Sequence, residues 1–181
     1  MTALASLPNY ISVFRLLCVP LIIWLILNGV YVAAFWLFLV AGASDAIDGY
    51  LARKLDAQSS SGAYLDPIAD KALLVGIYIT LGYQAALPDW LVILVVFRDL
   101  LIVGGALFIY IQDSDDLKMN PLWISKLNTT LQIILVVAVL ARSSMLFDVG
   151  ELIDWLVYLV ALSTLVSGGG YLTRWIKGVE E

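Results

Sequence analysis

The sequence predicts an all-α polytopic membrane protein, with six transmembrane helices in one bundle. Of its 181 residues, 62% are hydrophobic and 14% charged, and mean hydropathy is +0.95, beyond what ordinary soluble domains show. The apolar residues fall into runs near the ~20 residues that a membrane-crossing helix needs. Turn-forming stretches, Asn28-Gly29, Gln84 to Asp89 and the segment ending in Pro121, separate several of these runs. Residues 1–181 are therefore expected to form a single membrane-embedded domain.

Leu7 to Tyr10 reads as a short interfacial lead-in to a first span from about Ile11 to Leu27, with Arg15 near its start either snorkelling to the interface or facing inward. A second span starts near Tyr31 and runs into a carboxylate-rich stretch at its far end. The third extends from about Gly62 to about Tyr83, with Pro67 near its start, where a missing N–H is tolerable if Asp66 is close to the cap and a kink is the alternative. The fourth, Trp90 to about Ile111, carries Arg98 and Asp99 well inside, at a cost of roughly 2.5–3.5 kcal/mol each on insertion scales. Adjacent helical residues do not face each other, so each of these charges is expected to find its partner elsewhere. A polar loop from Gln112 to Asn120 leads through Pro121 to a fifth span with Ser125, Lys126, Asn128 and Thr129 in its first turns. The last span is expected from about Ile153 to Tyr171, with Gly168 to Gly170 allowing close helix packing or a loose break.

Histidine is absent, so any general base is a carboxylate, a lysine or a tyrosine. The one cysteine, Cys18, lies in an apolar run and reads as a buried, inert thiol. The net charge of −5 comes largely from Asp113, Asp115, Asp116 and the Glu180-Glu181 tail, which read as solvated. No nucleic-acid partner is expected.

Arg53, Lys54, Lys118, Lys126, Arg174 and Lys177 gather on one side of the spans, and the other side has Arg142. The positive-inside rule then places both termini and the carboxylate-rich stretch on the cytoplasmic side. The amino terminus, MTALASLPNY, has no Lys or Arg before the apolar run, unlike a signal or transit peptide, so a bacterial plasma membrane is expected. Trp90, Trp155 and Trp175 near span ends read as interfacial belts.

The chemistry concentrates between Asp45 and Asp70, where the pattern is DxxDGxxAR, eight residues, then GxxxDxxxD. On a helix, Asp45, Asp48, Gly49 and Ala52 share one face, and Gly62, Asp66 and Asp70 form one stripe of the next. Two such helices joined through Lys54 to Ser61 would bring four carboxylates together with only Gly and Ala beside them. Like charges that close repel and raise one another's pKa unless a cation joins them. Hard oxygen donors without His or Cys point to Mg²⁺ or Mn²⁺, which commonly bridge carboxylates to substrate phosphates. Arg53 could meet such a phosphate. A solvated acidic helix pair is the bland reading, but eight fixed positions at this composition recur by chance on the order of 10⁻⁹ to 10⁻¹⁰ times per start point.

The pattern, complete in Asp45, Asp48, Gly49, Ala52, Arg53, Gly62, Asp66 and Asp70, resembles the signature of the CDP-alcohol phosphatidyltransferases. The resemblance implies a membrane enzyme, a homodimer, that moves a phosphatidyl group from CDP-diacylglycerol onto an alcohol and releases CMP. It implies two ions of Mg²⁺ or Mn²⁺ held by Asp45, Asp48, Asp66 and Asp70. Asp45, Asp48, Gly49, Ala52, Arg53, Gly62 and Asp66 would bind CDP-diacylglycerol, and Asp70 would act as the general base.

The acceptor side is expected at Arg98, Lys126 and Asn128. LPNYISVFR, RDLLIVGGALFIY and PLWISKLNTTLQIILV resemble the CDP-alcohol type of cardiolipin synthase, which implies phosphatidylglycerol as acceptor. Phosphatidylglycerolphosphate synthases, which take glycerol 3-phosphate, are also similar but typically carry GKxKT where this chain has Ile124 to Thr129, ISKLNT. A dianionic acceptor calls for several basic residues, and the supply here is thin. A cation carrier is the alternative from another class, since carboxylates facing a polar cavity also mark ion pathways. The acidic cluster on one membrane side and the lack of a visible inverted repeat argue against it.

Overall fold

The structure, a computed structural model, describes residues 7–55, 62–111, 123–146 and 150–179, with side chains for 14–44, 71–105, 123–146 and 150–173. The regular structure among the described residues is helical: α1 Leu7–Leu27, α2 Tyr31–Leu55, α3 Gly62–Tyr83, α4 Asp89–Ile111, α5 Trp123–Ser143 and α6 Gly150–Val179. Two boundaries differ from expectation. The supposed lead-in belongs to α1, with Pro8 in the first turn, where no N–H is needed. The last helix starts before Ile153 and continues past Tyr171, through Gly168 to Gly170. In apolar surroundings a broken helix would strand its backbone groups, which outweighs glycine's weak helix propensity.

Three helices end in the same way. Gly29, Ala85 and Met145 adopt left-handed φ values of 73°, 54° and 56°. The following amides reach back to Leu25, Leu81 and Ala141 carbonyls at 2.9, 2.9 and 3.2 Å, the bonding of a Schellman C-cap. These turns lie at the end of the bundle remote from the 45–70 stretch. There the Gln84 Nε2 donates to the Ile26 and Leu27 carbonyls at 3.2 and 3.3 Å, tying the ends of α3 and α1.

Helix α1 packs against α2 and α3, α4 against α3 and α6, and α5 against α2, α3 and α6. Glycines on α3 set two of these contacts. A Cβ at Gly76 would stand 3.0 Å from Ile23 Cδ1 on α1, and one at Gly82 would stand 2.9 Å from Val92 Cγ2 on α4.

Apolar side chains also face outward on every helix: Leu17, Trp36, Ile79, Ile93, Trp123 and Leu162 are each more than half exposed. So much exposed apolar surface marks a lipid-facing exterior. Trp123–Ser143 and Gly150–Thr173 are each long and apolar enough to cross a membrane, and Phe14–Leu27, Tyr31–Ser44 and Lys71–Tyr83 are shorter apolar runs. Cys18 is buried, as expected, and Trp90 and Trp155 are exposed.

Candidate active site

The signature positions lie on two continuous helices. Residues 45, 48, 49 and 52 share a face of α2, and residues 62, 66 and 70 share a stripe of α3. The side chains of Asp45, Asp48, Gly49, Ala52, Arg53, Gly62, Asp66 and Asp70 lie outside the described residues, as does that of Trp175. What is described begins at Lys71, the residue after Asp70, and shows what the signature is built upon.

Lys71 Nζ and Arg98 Nη1 both donate to Asp99 Oδ1, each at 2.7 Å. Asp99 is 1% exposed and Arg98 2%. This corrects the expectation that the adjacent Arg98 and Asp99 do not pair. Their Cβ vectors diverge by about 100° on the helix, but the arginine stem is long enough to bring its guanidinium back to the neighbouring carboxylate. In a low-dielectric interior an uncompensated carboxylate is costly enough to favour that rotamer.

The same guanidinium reaches across to two other helices. Arg98 Nη2 donates to Ser125 Oγ on α5 at 2.7 Å, and Nη2 and Nε both donate to Ser167 Oγ on α6, the latter at 3.2 Å. The stem passes Gly168, whose absent Cβ would sit 3.6 Å from Arg98 Cγ. That packing role is one of the two expected for the Gly168 to Gly170 run. The layer therefore links α3, α4, α5 and α6, with two cations and one carboxylate among the described residues. Arg15 on α1 faces inward, 2% exposed. Gly76 against Val19 and Ile23, with Gln84 against Ile26 and Leu27, puts Arg15 at about the height of Lys71.

Of the acceptor-side candidates, Lys126 is exposed and Asn128 is fully buried. Asn128 Oδ1 accepts hydrogen bonds from Ser163 Oγ at 2.7 Å and Thr164 Oγ1 at 2.9 Å on α6. Sequence reading gave no role to Ser125, Ser163, Thr164, Ser167, Tyr78 or Gln132. For Ser163, Ser167 and Gln132 a faint signal lay in the spacing: Ser163 and Ser167, and Asn128 and Gln132, recur four residues apart within apolar runs.

Helices that turn apolar side chains outward and hold ion pairs within define a helical membrane protein with a polar interior. The CDP-alcohol phosphatidyltransferase family profile matches residues 5–166, and the chain belongs to that family. It is similar to the chloroplastic CDP-diacylglycerol–glycerol-3-phosphate 3-phosphatidyltransferase 1 of Oryza sativa subsp. japonica, 39% identical over 92% of this chain and 56% of that protein. It is also similar to the human cardiolipin synthase (CMP-forming), 30% identical over 75% of this chain and 50% of that protein. The CDP-diacylglycerol–glycerol-3-phosphate 3-phosphatidyltransferase of Bacillus subtilis is 29% identical over 93% of this chain and 94% of its own length. The chain thus spans about half the length of the rice and human relatives.

Proposed function

We propose that this chain transfers a phosphatidyl group from CDP-diacylglycerol to a hydroxyl of phosphatidylglycerol, forming cardiolipin and CMP. The observation that carries the reaction is the complete eight-position signature on α2 and α3 within the matched 5–166 region. The acceptor assignment rests on charge. Arg98 shares Asp99 with Lys71 and Asn128 is neutral, a layer suited to a phosphodiester with one charge. Glycerol 3-phosphate as acceptor is the second reading, favoured by the names of the rice and Bacillus relatives.

The donor set fits a divalent cation: four carboxylates, in pairs about one turn apart on two helices, offer hard oxygens only. Asp45, Asp48, Asp66 and Asp70 would hold two ions of Mg²⁺ or Mn²⁺. When bound, these supply Lewis-acid polarisation of the pyrophosphate and offset charge on departing CMP. Gly49, Ala52 and Gly62 leave room for the nucleotide and Arg53 meets its phosphates. Asp70 takes the proton of the attacking hydroxyl as its oxygen bonds to the phosphatidyl phosphorus and the bond to CMP breaks. Arg98, Lys126 and Asn128 form the acceptor side. In this reading all six helices span a bacterial plasma membrane, both termini and the signature face the cytoplasm, and the chain is a homodimer.

The test is to give the detergent-purified chain CDP-diacylglycerol and Mg²⁺ or Mn²⁺, with phosphatidylglycerol or glycerol 3-phosphate offered separately. CMP together with cardiolipin, only when phosphatidylglycerol is present, is expected. Phosphatidylglycerolphosphate instead would move the assignment to the second reading. Asp70→Asn should abolish CMP release while leaving the thermal unfolding midpoint near that of the parent, and full turnover in that variant would remove Asp70 as base. Metal uptake into sealed vesicles with no CMP from any acceptor would favour a carrier.

A further inference from the structure

The ionic layer continues deeper into the bundle as a seam of buried polar side chains. Ser125, Asn128 and Gln132 fall on one face of α5, at i, i+3 and i+7. Ser163, Thr164 and Ser167 meet that face from α6 through Asn128 and Arg98. From α3, Tyr78 lies seven residues beyond Lys71 on the same face and donates its hydroxyl to the Gln132 carbonyl at 3.3 Å. The three hydrogen-bonded groups follow one another along these helix faces, and the described residues do not saturate them. Asp99 Oδ2, Asn128 Nδ2 and both side-chain amide atoms of Gln132 have no hydrogen-bond partner among the described residues. These three residues are 1%, 0% and 0% exposed.

Exchanging amide nitrogen and oxygen does not remove the problem. Gln132 lacks partners for both atoms, and turning Asn128 over would only swap an orphan donor for an orphan acceptor. Buried polar groups in native proteins are otherwise almost always paired, most of all where lipid surrounds the fold.

We propose that ordered water occupies this seam, bound between α3, α5 and α6 against the Gln132 amide and Asn128 Nδ2, and reaching Asp99 Oδ2. The orphan atoms comprise two donors and two acceptors, the mixed set that water satisfies and a simple ion does not. Among the described residues the charge of Asp99 is already matched by Lys71 and Arg98. Water enters beside Lys71, which is 21% exposed, and Ser125, which is half-buried. The seam ends below Leu135, Val136 and Val139, which are apolar and buried. The ion pairs therefore lie at the mouth of a hydrated shaft, and the carboxylate of Asp99 is solvated from inside the protein. This does not depend on which acceptor the enzyme uses.

Radiolytic hydroxyl-radical labelling of the full chain in detergent tests this, because radicals form from bound water where it sits. Tyr78 is 0% exposed and Phe38 3%, so both are closed to bulk solvent, while Tyr83, 82% exposed, sets the open reference. Labelling of Tyr78 several-fold faster than of Phe38 is expected, with loss of that excess in Gln132→Met. Equal inertness of Tyr78 and Phe38 in the parent chain overturns the proposal without any variant. Excess labelling that survives Gln132→Met overturns the placement of water at that amide. The variant should also unfold at a lower temperature than the parent; a higher midpoint would mean that the amide was unpaired and the site dry.

Discussion

The end of the bundle with the three Schellman turns and the half carrying the signature fill their interiors differently. Towards the turns, Ile22, Ile26, Leu81, Leu91 and Leu140 are completely buried and Phe38 nearly so. Towards the signature, Arg15, Arg98, Asp99 and Asn128 are as deeply buried, and each is polar or charged. The first interior is held by close packing without directional demands. Between lipid-embedded helices such packing depends on close approach, which explains the small residues Gly76 and Gly82 at the α1 and α4 contacts. The second interior must match every donor and charge to a partner, so it is specific but easily upset. That cost falls beside Asp70, the last position of the signature, where α3 enters the ionic layer through Lys71.

The comparison breaks most visibly at Asp99. Asp99→Ala leaves Arg98 and Lys71 without their shared carboxylate, and loss of one partner from a buried ion pair destabilises by about 3–5 kcal/mol. Unfolding of the detergent-solubilised chain should show a loss of that size. A change below about 1 kcal/mol, the range of exposed pairs, would show that the layer behaves as a surface.

Next in size is the dry interior's response to added volume. Gly82→Ala would set a methyl 2.9 Å from Val92 Cγ2, and stiff β-branched Val92 cannot swing away freely. A loss of about 1–3 kcal/mol is expected from overpacking. Gly42, with nothing within 4 Å of its missing Cβ, is the control on α2: Gly42→Ala should be neutral or stabilising by up to about 1 kcal/mol. Equal responses at both positions would mean that α3 and α4 are not closely packed at Val92.

The two interiors also differed in how far the sequence revealed them. Turn signals such as Asn28-Gly29 and the near-continuous hydrophobicity between them located the helices, because chain reversal and burial depend on local residue type. The signature face was legible because helical spacing alone puts Asp45 and Asp48, or Asp66 and Asp70, on one side. The Arg98–Asp99 pair was not, since it depends on how a long side chain folds back in a dry interior. Ser163, Thr164 and Ser167 were hidden for another reason: hydroxyls barely interrupt an apolar run, and their partners come from α4 and α5. The extent of α6 was missed because Gly168 to Gly170 read equally as a break, whereas Gly168 makes room for Arg98.

The smallest effect is expected within the polar seam, and it separates protein partners from solvent. Thr164→Val removes one of two hydroxyls bonded to Asn128 Oδ1 while keeping the side-chain shape. Because Ser163 remains, the loss should be about 0.6 kcal/mol, the average for interhelical hydrogen bonds in membrane proteins. Adding Ser163→Ala removes the second hydroxyl and leaves the carbonyl oxygen to whatever else can reach it. In a dry seam the double variant would lose about 1–3 kcal/mol more than the two single changes together, the cost of an unsatisfied buried acceptor. In a hydrated seam, water takes the place of the lost hydroxyls and the two changes should be nearly additive. Near-additivity is the expected result, and a large coupling would show that Asn128 depends on α6 alone.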